Sequence, residues 1–379
     1  MRDISGRFPT ATIPEEGNLL GRLERPSWLL ALAAVVLGVV GVVTVSSASA
    51  ELAIDYFPRQ MVWLCLGILL MASGFLVNYR TLLRFATPIY IVGLLMLVGI
   101  LLFGQEAGGA RSWVGFRGLG LQPSELAKLA TVLLLVRFLA VREEGSLRTG
   151  EVAVVGLIVG VPFGLILIEP DLGGALTLVP MSAGLIWVAG IRLRTFLLVV
   201  LVLSLTVIGF WSFVMRDYQR DRIASFVSPQ ADPLGAGYQL RQSKIAVGSG
   251  ELIGKGFMQG TQSQLRFLPA RHTDFIFAVL AEERGFVGVV GVFGLYLLYL
   301  YYGVRVACRA REPDGNLLVV GLLTILTFHI LYNTSMMIGL VPITGIPLPF
   351  LSYGGSFTLF CFFATGLILS VDLRRYVNR

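Results

Sequence analysis

Charged residues are scarce in this chain. Asp, Glu, Lys and Arg make up only 14% of its 379 residues, against about 25% in soluble proteins. Hydrophobic residues account for 55%, and the mean hydropathy is +0.79. A soluble domain of this length cannot hide so many apolar side chains, whereas a bilayer removes the need for a polar exterior. The composition therefore excludes an ordinary soluble protein and predicts a helical membrane protein.

Cysteine and histidine are also rare. The cysteines are Cys65, Cys308 and Cys361, and the two histidines, His272 and His329, lie far apart in the chain. No pair has the spacing of metal ligands, which disfavours a Cys/His zinc site. The segments that we expect outside the membrane contain no cysteine, so we expect no disulfide.

The N-terminal segment lacks the pattern of a cleavable signal peptide. Residues 1–25 are polar and contain Pro9 and Pro14. The apolar run that follows is long enough to cross a bilayer. We therefore expect residues 1–27 to form a cytoplasmic tail.

Long apolar runs dominate the rest of the chain. A membrane-spanning helix needs about 20 apolar residues, and ten runs approach that length. They predict helices over residues 28–48, 59–78, 86–104, 125–142, 152–169, 172–190, 195–215, 283–304, 317–339 and 355–373. We expect an all-α polytopic membrane protein with one transmembrane domain over 28–373 and a cytoplasmic tail over 374–379.

The placement of arginine predicts the orientation of this bundle, because short cytoplasmic loops collect Lys and Arg. Arginines cluster before span one and after spans two, four, six, eight and ten, whereas the alternate short loops hold few. Both termini are then cytoplasmic. The outer face carries a Gly-rich loop over 104–124, the turn at 169–171, a large loop over 216–274 and a Pro-rich stretch over 340–356.

Ionisable residues near membrane depth are costly, so they are functional candidates. Glu125 and Lys128 lie three residues apart at the start of a predicted helix and share one face. They form either a structural ion pair or a charged pair that faces a cavity, and the pattern favours neither. In the turn between spans five and six, we interpret Glu169 as a solvated residue. For Asp171 we slightly favour a carboxylate at a cavity mouth over a helix cap.

The large outer loop begins with a predicted turn over 232–235 and a short helix that carries Gln239, Ser243 and Lys244. Five glycines between residues 248 and 260 then indicate a constrained loop or one that approaches a ligand closely. Their spacing matches no nucleotide-binding fingerprint.

Asp274 stands at the end of this loop, immediately before an apolar segment. A carboxylate there acts either as a helix N-cap or as a general base in a half-desolvated site. Capping is the commoner role of an Asp before a helix, so the spacing alone favours capping over catalysis. Glu282 and Glu283 follow and either deepen the site or lie at the interface. We interpret His272 as a hydrogen-bonding loop residue.

Seven short motifs carry a specific resemblance. They are QPSELAK (122–128), PDLG (170–173), DPLGAGYQ (232–239), QSKIAVGSG (242–250), GTQSQ (260–264), HTDFIF (272–277) and PLPFLSYGGS (347–356). Together they resemble the SEDS family of bacterial shape, elongation, division and sporulation proteins, and the GTQSQ motif resembles its RodA branch.

The resemblance implies a ten-helix glycosyltransferase that polymerises lipid II into peptidoglycan strands and works with a class B penicillin-binding protein. It makes Asp274 the essential aspartate, with Glu125 and Lys128 as its catalytic partners. A Mg²⁺ or Mn²⁺ ion bridging pyrophosphate to carboxylate is a further expectation. The residues expected to contact the substrate are Arg216, Arg222, Asp171, Gln239, Ser243, Lys244, Arg271, His272, Thr273 and Ser352.

Two departures from the family pattern stand out. Ala270 occupies a position where relatives often have Glu, and Glu283-Arg284-Gly285 stands where relatives commonly read Glu-Glu-Leu-Gly. Neither removes a residue that the resemblance makes essential. Two alternative functions remain open, namely a lipid II flippase and a non-catalytic scaffold for a penicillin-binding protein.

Overall fold

The computed structural model describes residues 27–50, 55–103, 105–107, 110–116, 119–142, 147–191, 197, 226, 235–265 and 267–377. The helices in these ranges are α1 Trp28–Ser49, α2 Phe57–Leu76, α3 Tyr79–Arg84, α4 Ala86–Phe103, α5 Pro123–Ala140, α6 Thr149–Ile168, α7 Leu172–Ala189, α8 Ala236–Ser249, α9 Thr261–Gln264, α10 Ile276–Arg309, α11 Pro313–Ile338 and α12 Gly355–Val377. The strands are β1 Gln105–Ala107, β2 Ala110–Phe116 and β3 Leu119–Leu121.

Membrane-spanning helices make up most of this structure. Within the described ranges, eight helices are long and apolar enough to cross a bilayer, namely α1, α2, α4, α6, α7, α10, α11 and α12. Helix α5 corresponds to the fourth predicted span, over 125–142, and it is less apolar because it carries Glu125, Lys128 and Arg137. The span predicted over 195–215 lies outside the described residues. The expected all-α polytopic fold is confirmed.

A small β-sheet is the exception to this helical architecture. Its strand order is β1-β2-β3, both pairs are antiparallel, and Val114 pairs with Leu121. The prediction of a Gly-rich loop over 104–124 was therefore wrong for these three strands. Trp113, Val114 and Phe116 are residue types that favour strands.

Helix α12 occupies the centre of the bundle and packs most closely against α2. A Cβ atom added at Gly366 would lie 2.2 Å from the carbonyl oxygen of Met71, so only glycine permits this approach. Small residues are the usual means by which membrane helices pack backbone against backbone. The side chains of Phe362, Leu367 and Ile368 are fully buried.

Helix α10 is broken at Gly285, where φ is +62° and ψ is −164°. The span predicted over 283–304 therefore begins too late, because a buried half-helix starting at Ile276 precedes the break. Four backbone hydrogen bonds from the loop after α8 replace those that the break removes. They run from Phe286 N to Glu251 O (2.8 Å), Val287 N to Leu252 O (3.0 Å), Lys255 N to Glu282 O (3.0 Å) and Gly256 N to Glu283 O (3.1 Å).

Replacing Gly285 with Ala tests the importance of this break. The new Cβ would lie 2.3 Å from Gly254 N, in a backbone conformation that L side chains rarely adopt. We expect the free energy of unfolding to fall by about 1–3 kcal/mol. Thermal unfolding in detergent measures the change. Gly294→Ala is the matched control, because it adds a methyl group to the same helix where no atom lies within 4 Å. Equal Tm values for the two variants would contradict the prediction.

Candidate active site

The segment around Asp274 forms a non-helical turn directly before α10. Asp274 is half-buried, and Phe275, rather than Asp274, occupies the N-cap position of the helix. A Cβ atom added at Gly345 would lie 3.5 Å from Asp274 Oδ2, so the carboxylate points towards the 345–353 loop. The spacing favoured a capping role for Asp274, but the helix boundary does not place Asp274 at the N-cap position.

Three successive carbonyl groups in this turn accept hydrogen bonds from outside it. His272 O accepts from Tyr353 N at 2.9 Å, and Thr273 O accepts from Ser352 Oγ at 2.8 Å. Asp274 O accepts from Asn333 Nδ2 at 2.9 Å. The Asn333 amide also donates to Ile346 O at 2.7 Å. The backbone that carries Asp274 is thus fixed to α11 and to the 345–353 loop.

His272 stacks against aromatic rings. Its ring lies 4.4 Å from that of Tyr56 at an interplanar angle of 11°, and 5.7 Å from that of Tyr353. Burial, with a smaller contribution from the Arg271 charge, lowers the pKa of His272, so the neutral ring is favoured. Among the described residues its Nδ1 atom has no hydrogen-bond partner. His272 is a hydrogen-bonding loop residue through its carbonyl group, as predicted, but its Nδ1 atom makes no such bond among the described residues.

Glu125 and Lys128 form a buried ion pair at the start of α5. Lys128 Nζ lies 2.7 Å from Glu125 Oε1. The ammonium group also lies 5.6 Å and 5.9 Å from the ring centres of Phe357 and Phe360. Glu125 Oε2 has no hydrogen-bond partner in the described part of the chain. Glu125 also lines an almost wholly apolar cavity of about 310 Å³ with Leu126, Phe360 and Phe363 among others. The sequence left open a structural ion pair or a charged pair that faces a cavity. The structure shows both features, since Glu125 pairs with Lys128 and also lines a cavity.

Asp171 joins the start of α7 to the start of α5. Its Oδ1 atom accepts from Gly174 N at 2.8 Å, which caps α7. Its Oδ2 atom accepts from Gln122 Nε2 at 2.9 Å and from Ser124 Oγ at 3.4 Å. The structure thus gives Asp171 the capping role that the sequence analysis placed second. Contact between Asp171 and a substrate stays a prediction.

Glu169 is fully buried, so its interpretation as a solvated turn residue was wrong. Neither carboxylate oxygen has a hydrogen-bond partner among the residues that the structure describes. Burial, and then the neighbouring Asp171 charge, raise the pKa of Glu169 to about 8. A protonated carboxyl group is the form that this environment favours at neutral pH.

The other predicted substrate contacts fall into three groups. Ser243 is buried and donates to Met337 O at 2.8 Å, so it joins α8 to α11. Gln239 is half-buried and Lys244 is exposed on the same helix, whereas Arg271 is almost completely buried beside the Asp274 turn. Arg216 and Arg222 lie outside the described residues.

Glu282 and Glu283 anchor the outer loop at the break in α10. The Glu282 carboxylate accepts from Lys255 Nζ at 2.8 Å and from the backbone N–H groups of Gln262 (2.9 Å) and Ser263 (3.1 Å) in α9. Glu283 accepts a hydrogen bond from Ser47 of α1. These contacts show that Glu282 and Glu283 join α10 to the outer loop and to α1.

Sequence reasoning missed His329, which connects the Asp274 turn to the Glu125–Lys128 pair. Its Nδ1 atom lies 3.1 Å from Pro347 O, and its Nε2 atom lies 3.2 Å from Thr177 Oγ1. Its ring stacks 4.4 Å from that of Phe357, over which Lys128 is placed. Asn333, one helical turn further along α11, was missed as well. Two polar residues four apart in an apolar helix were the available signal.

Comparison with known proteins gives consistent results along almost the whole chain. A family model that spans FtsW, RodA and SpoVE, described as "Cell cycle protein", matches residues 25–377. The peptidoglycan glycosyltransferase MrdB of Escherichia coli K12 is 37% identical over 352 residues, which cover 92% of this chain and 94% of MrdB.

Two solved structures are also similar. The rod shape determining protein RodA of Thermus thermophilus is 32% identical with a TM-score of 0.70, over 94% of this chain and 99% of that one. A chain from a peptidoglycan synthase complex that coordinates polymerization and crosslinking is 33% identical with a TM-score of 0.79. That match covers 93% of this chain and 99% of that one.

Glu169→Gln tests the buried carboxyl group. A group whose pKa is raised in the folded state contributes stability below about pH 4.5, and this stability is lost as pH rises towards 8. Glutamine stays neutral, so we expect the variant to have the higher Tm at pH 8–9 and the difference to shrink towards pH 5. Glu251→Gln, at an exposed position, is the control and should follow the wild type. Parallel Tm curves for wild type and Glu169→Gln would contradict the prediction.

Proposed function

Because the chain belongs to the FtsW, RodA and SpoVE family, we propose that it is a peptidoglycan glycosyltransferase that polymerises lipid II into glycan strands during cell elongation. It is a multi-pass membrane protein with eight described helices that can span a bilayer. The observation that carries the proposal is the turn at Asp274, whose backbone is fixed at three successive carbonyl groups. Such rigid placement suits a group that must meet a reacting atom within hydrogen-bond distance.

The reaction requires one well-placed base. The donor sugar is α-linked to a lipid pyrophosphate, and the product linkage is β, so the anomeric carbon inverts in a single displacement. The 4-hydroxyl oxygen of the acceptor sugar forms the new bond, its proton passes to the Asp274 carboxylate, and the bond from the anomeric carbon to the pyrophosphate breaks. Pyrophosphate is a good leaving group, so no general acid is needed.

Charge on the leaving pyrophosphate needs stabilisation by cations. Lys128 is the buried cation whose partner, Glu125, lines the apolar cavity of about 310 Å³. We assign that cavity to part of the lipid carrier and Lys128 to the pyrophosphate. Arg271, which adjoins the Asp274 turn, and Arg216 and Arg222 in the outer loop are further candidates.

The described side chains of this site supply only part of the ligand set that the expected metal ion would need. No three His, Cys, Asp or Glu side chains cluster within the described ranges in a way that could hold a metal ion. A Mg²⁺ or Mn²⁺ ion would therefore need oxygen ligands from the substrate pyrophosphate, and Glu125 Oε2 would supply a protein oxygen that has no hydrogen-bond partner among the described residues. The proton transfer to Asp274 does not depend on such an ion.

We place both termini in the cytoplasm and the active site on the outer face. Arg80 pairs with Glu312, and Arg374 donates to Leu76 O at 2.9 Å, so the end of α2, the start of α3, the start of α11 and the basic end of α12 meet. The Asp274 turn and Tyr56 lie at the other end of α2. A basic cytoplasmic end agrees with the charge asymmetry of membrane proteins.

A class B penicillin-binding protein is the partner that we propose. A similar chain is found in a peptidoglycan synthase complex that coordinates polymerization and crosslinking. Polymerisation and crosslinking act on the same growing strand, so a transpeptidase on the outer face would receive the product directly.

Asp274→Asn tests the base. The amide retains the size of the carboxylate but accepts no proton, so we expect glycan-strand formation from lipid II to fall by about 10²–10⁴-fold. The assay uses the purified chain with its penicillin-binding protein, with and without EDTA. Asp55→Asn is the control, because Asp55 is exposed and accepts from Phe57 N at the same end of α2. Normal polymerisation by a folded Asp274→Asn variant would contradict the assignment of Asp274 as the base. A wild-type protein that moves lipid II across the membrane but does not polymerise it would favour a flippase.

Replacing both members of the buried pair separates its structural role from its catalytic role. The Glu125→Gln and Lys128→Met double variant removes both charges while keeping similar side-chain volumes. Removing a whole buried pair is often neutral for stability, whereas removing one partner costs about 3–5 kcal/mol. We expect the double variant to keep a Tm near that of the wild type and to lose polymerisation. Full activity in the double variant would show that the pair serves folding alone.

A further inference from the structure

A second cavity, of about 390 Å³, lies at the end of the bundle opposite the Asp274 turn. It is bounded by the last residues of α5 and α7 and by the junction between α10 and α11. Its polar lining residues are Arg142, Arg311, Glu312 and Asn316. None of these residues takes part in the proposed reaction.

Among the described residues that line this cavity, one cation has no carboxylate partner within the described part of the chain. Arg142 pairs with Glu151 at 2.9 Å, and Glu312 pairs with Arg80. Arg311 is exposed and makes no hydrogen bond or ion pair with the part of the chain that the structure describes. It also lines a small adjoining cleft with Arg374 and Arg375. The cavity is therefore complementary to an anion, and a guanidinium group suits the oxygens of a phosphate.

An apolar groove of about 510 Å³ continues from this cavity, and the two share Val188 and Asn316. The groove runs along α11 from Asn316 to Leu331 and is flanked by α7 and α10. Fifteen residues of helix extend about 22 Å, and one leaflet contributes about 15 Å of hydrocarbon. The groove is therefore long enough for an acyl chain of one leaflet.

We propose that this cavity and groove together bind a phospholipid with an anionic headgroup. The phosphate lies against Arg311, and one acyl chain lies in the groove along α11. The inference rests on the proposed orientation, which places Arg311 at the cytoplasmic leaflet, where anionic lipids attract basic residues. The continuity of a basic cavity with an apolar groove favours a lipid over a soluble anion, which would use the cavity alone.

Lipid binding to the full-length protein in mixed micelles of a neutral detergent tests the headgroup contact. Native mass spectrometry compares the retention of phosphatidylglycerol with that of phosphatidylcholine of the same chain length. We expect the wild type to prefer phosphatidylglycerol, and Arg311→Gln to reduce that preference by about fivefold. Arg305→Gln is the matched control. Arg305 lies near the same end of the bundle, where it stacks on Tyr301 and Tyr302 rather than lining the cavity.

A second pair of variants tests the groove. Cys308 is exposed and lines the groove, so Cys308→Trp should obstruct it and weaken retention of diacyl phosphatidylglycerol. Cys65→Trp, at an exposed position on α2, should leave retention unchanged. Soluble glycerol phosphate should fail to displace the lipid at equal concentration.

Three results would overturn the proposal. They are equal retention of the two lipids by the wild type, unchanged preference in Arg311→Gln, and displacement by glycerol phosphate as effective as by lipid. If Cys308→Trp lowers the Tm but leaves lipid retention unchanged, the groove is occupied by another part of this chain rather than by lipid. The assay contains no lipid II, and the Asp274→Asn variant should bind phosphatidylglycerol as the wild type does. Failure of the lipid site is thus distinguishable from failure of the proposed enzymatic function.

Discussion

A bilayer offers no water to an unpaired backbone amide or carbonyl, so irregular backbone at membrane depth must be paired within the protein. The break in α10 meets this requirement through the loop after α8, which donates to Glu282 O and Glu283 O and accepts from Phe286 and Val287. The turn before α10 meets it through Asn333, Ser352 and the backbone of Tyr353. Because each irregular segment completes another, none of them can move alone without exposing unpaired polar groups.

This mutual pairing explains why the proposed base is rigid although it lies outside regular secondary structure. A loop in water would hold a carboxylate loosely, whereas the carbonyl groups before and after the Asp274 Cα atom are both fixed by side-chain donors. Asn333 also joins this turn to the next loop, because its amide donates to both Asp274 O and Ile346 O. His329, one turn away, extends the same assembly to the aromatic rings beside Lys128. The two clusters that the sequence motifs indicate separately therefore share one support.

The sequence predicts the helices well because hydropathy over about 20 residues is a sufficient signal for a membrane span. It predicts the shared face of Glu125 and Lys128 for the equally local reason of helical spacing. The break at Gly285 was missed because its backbone partners come from a distant loop, which no local window includes. The burial of Glu169 depends in the same way on tertiary packing. For Asp171 the sequence could not separate the two roles, since a turn before a helix supports both a cap and a functional carboxylate, and the structure shows the cap.

The two lipid-facing sites that we propose use charge in opposite ways, and their expected behaviour follows from that difference. At the outer site, Lys128 is neutralised by Glu125 within a largely apolar surrounding, so an anion must compete with an existing partner before it gains the cation. Such competition lowers the affinity of the resting site and suits a substrate that is bound and released in each cycle. At the inner site, Arg311 has no competing carboxylate within the described residues, since Glu312 is taken by Arg80. An anionic lipid there need not compete with a described carboxylate for Arg311, which suits a resident component of the bundle rather than a reactant.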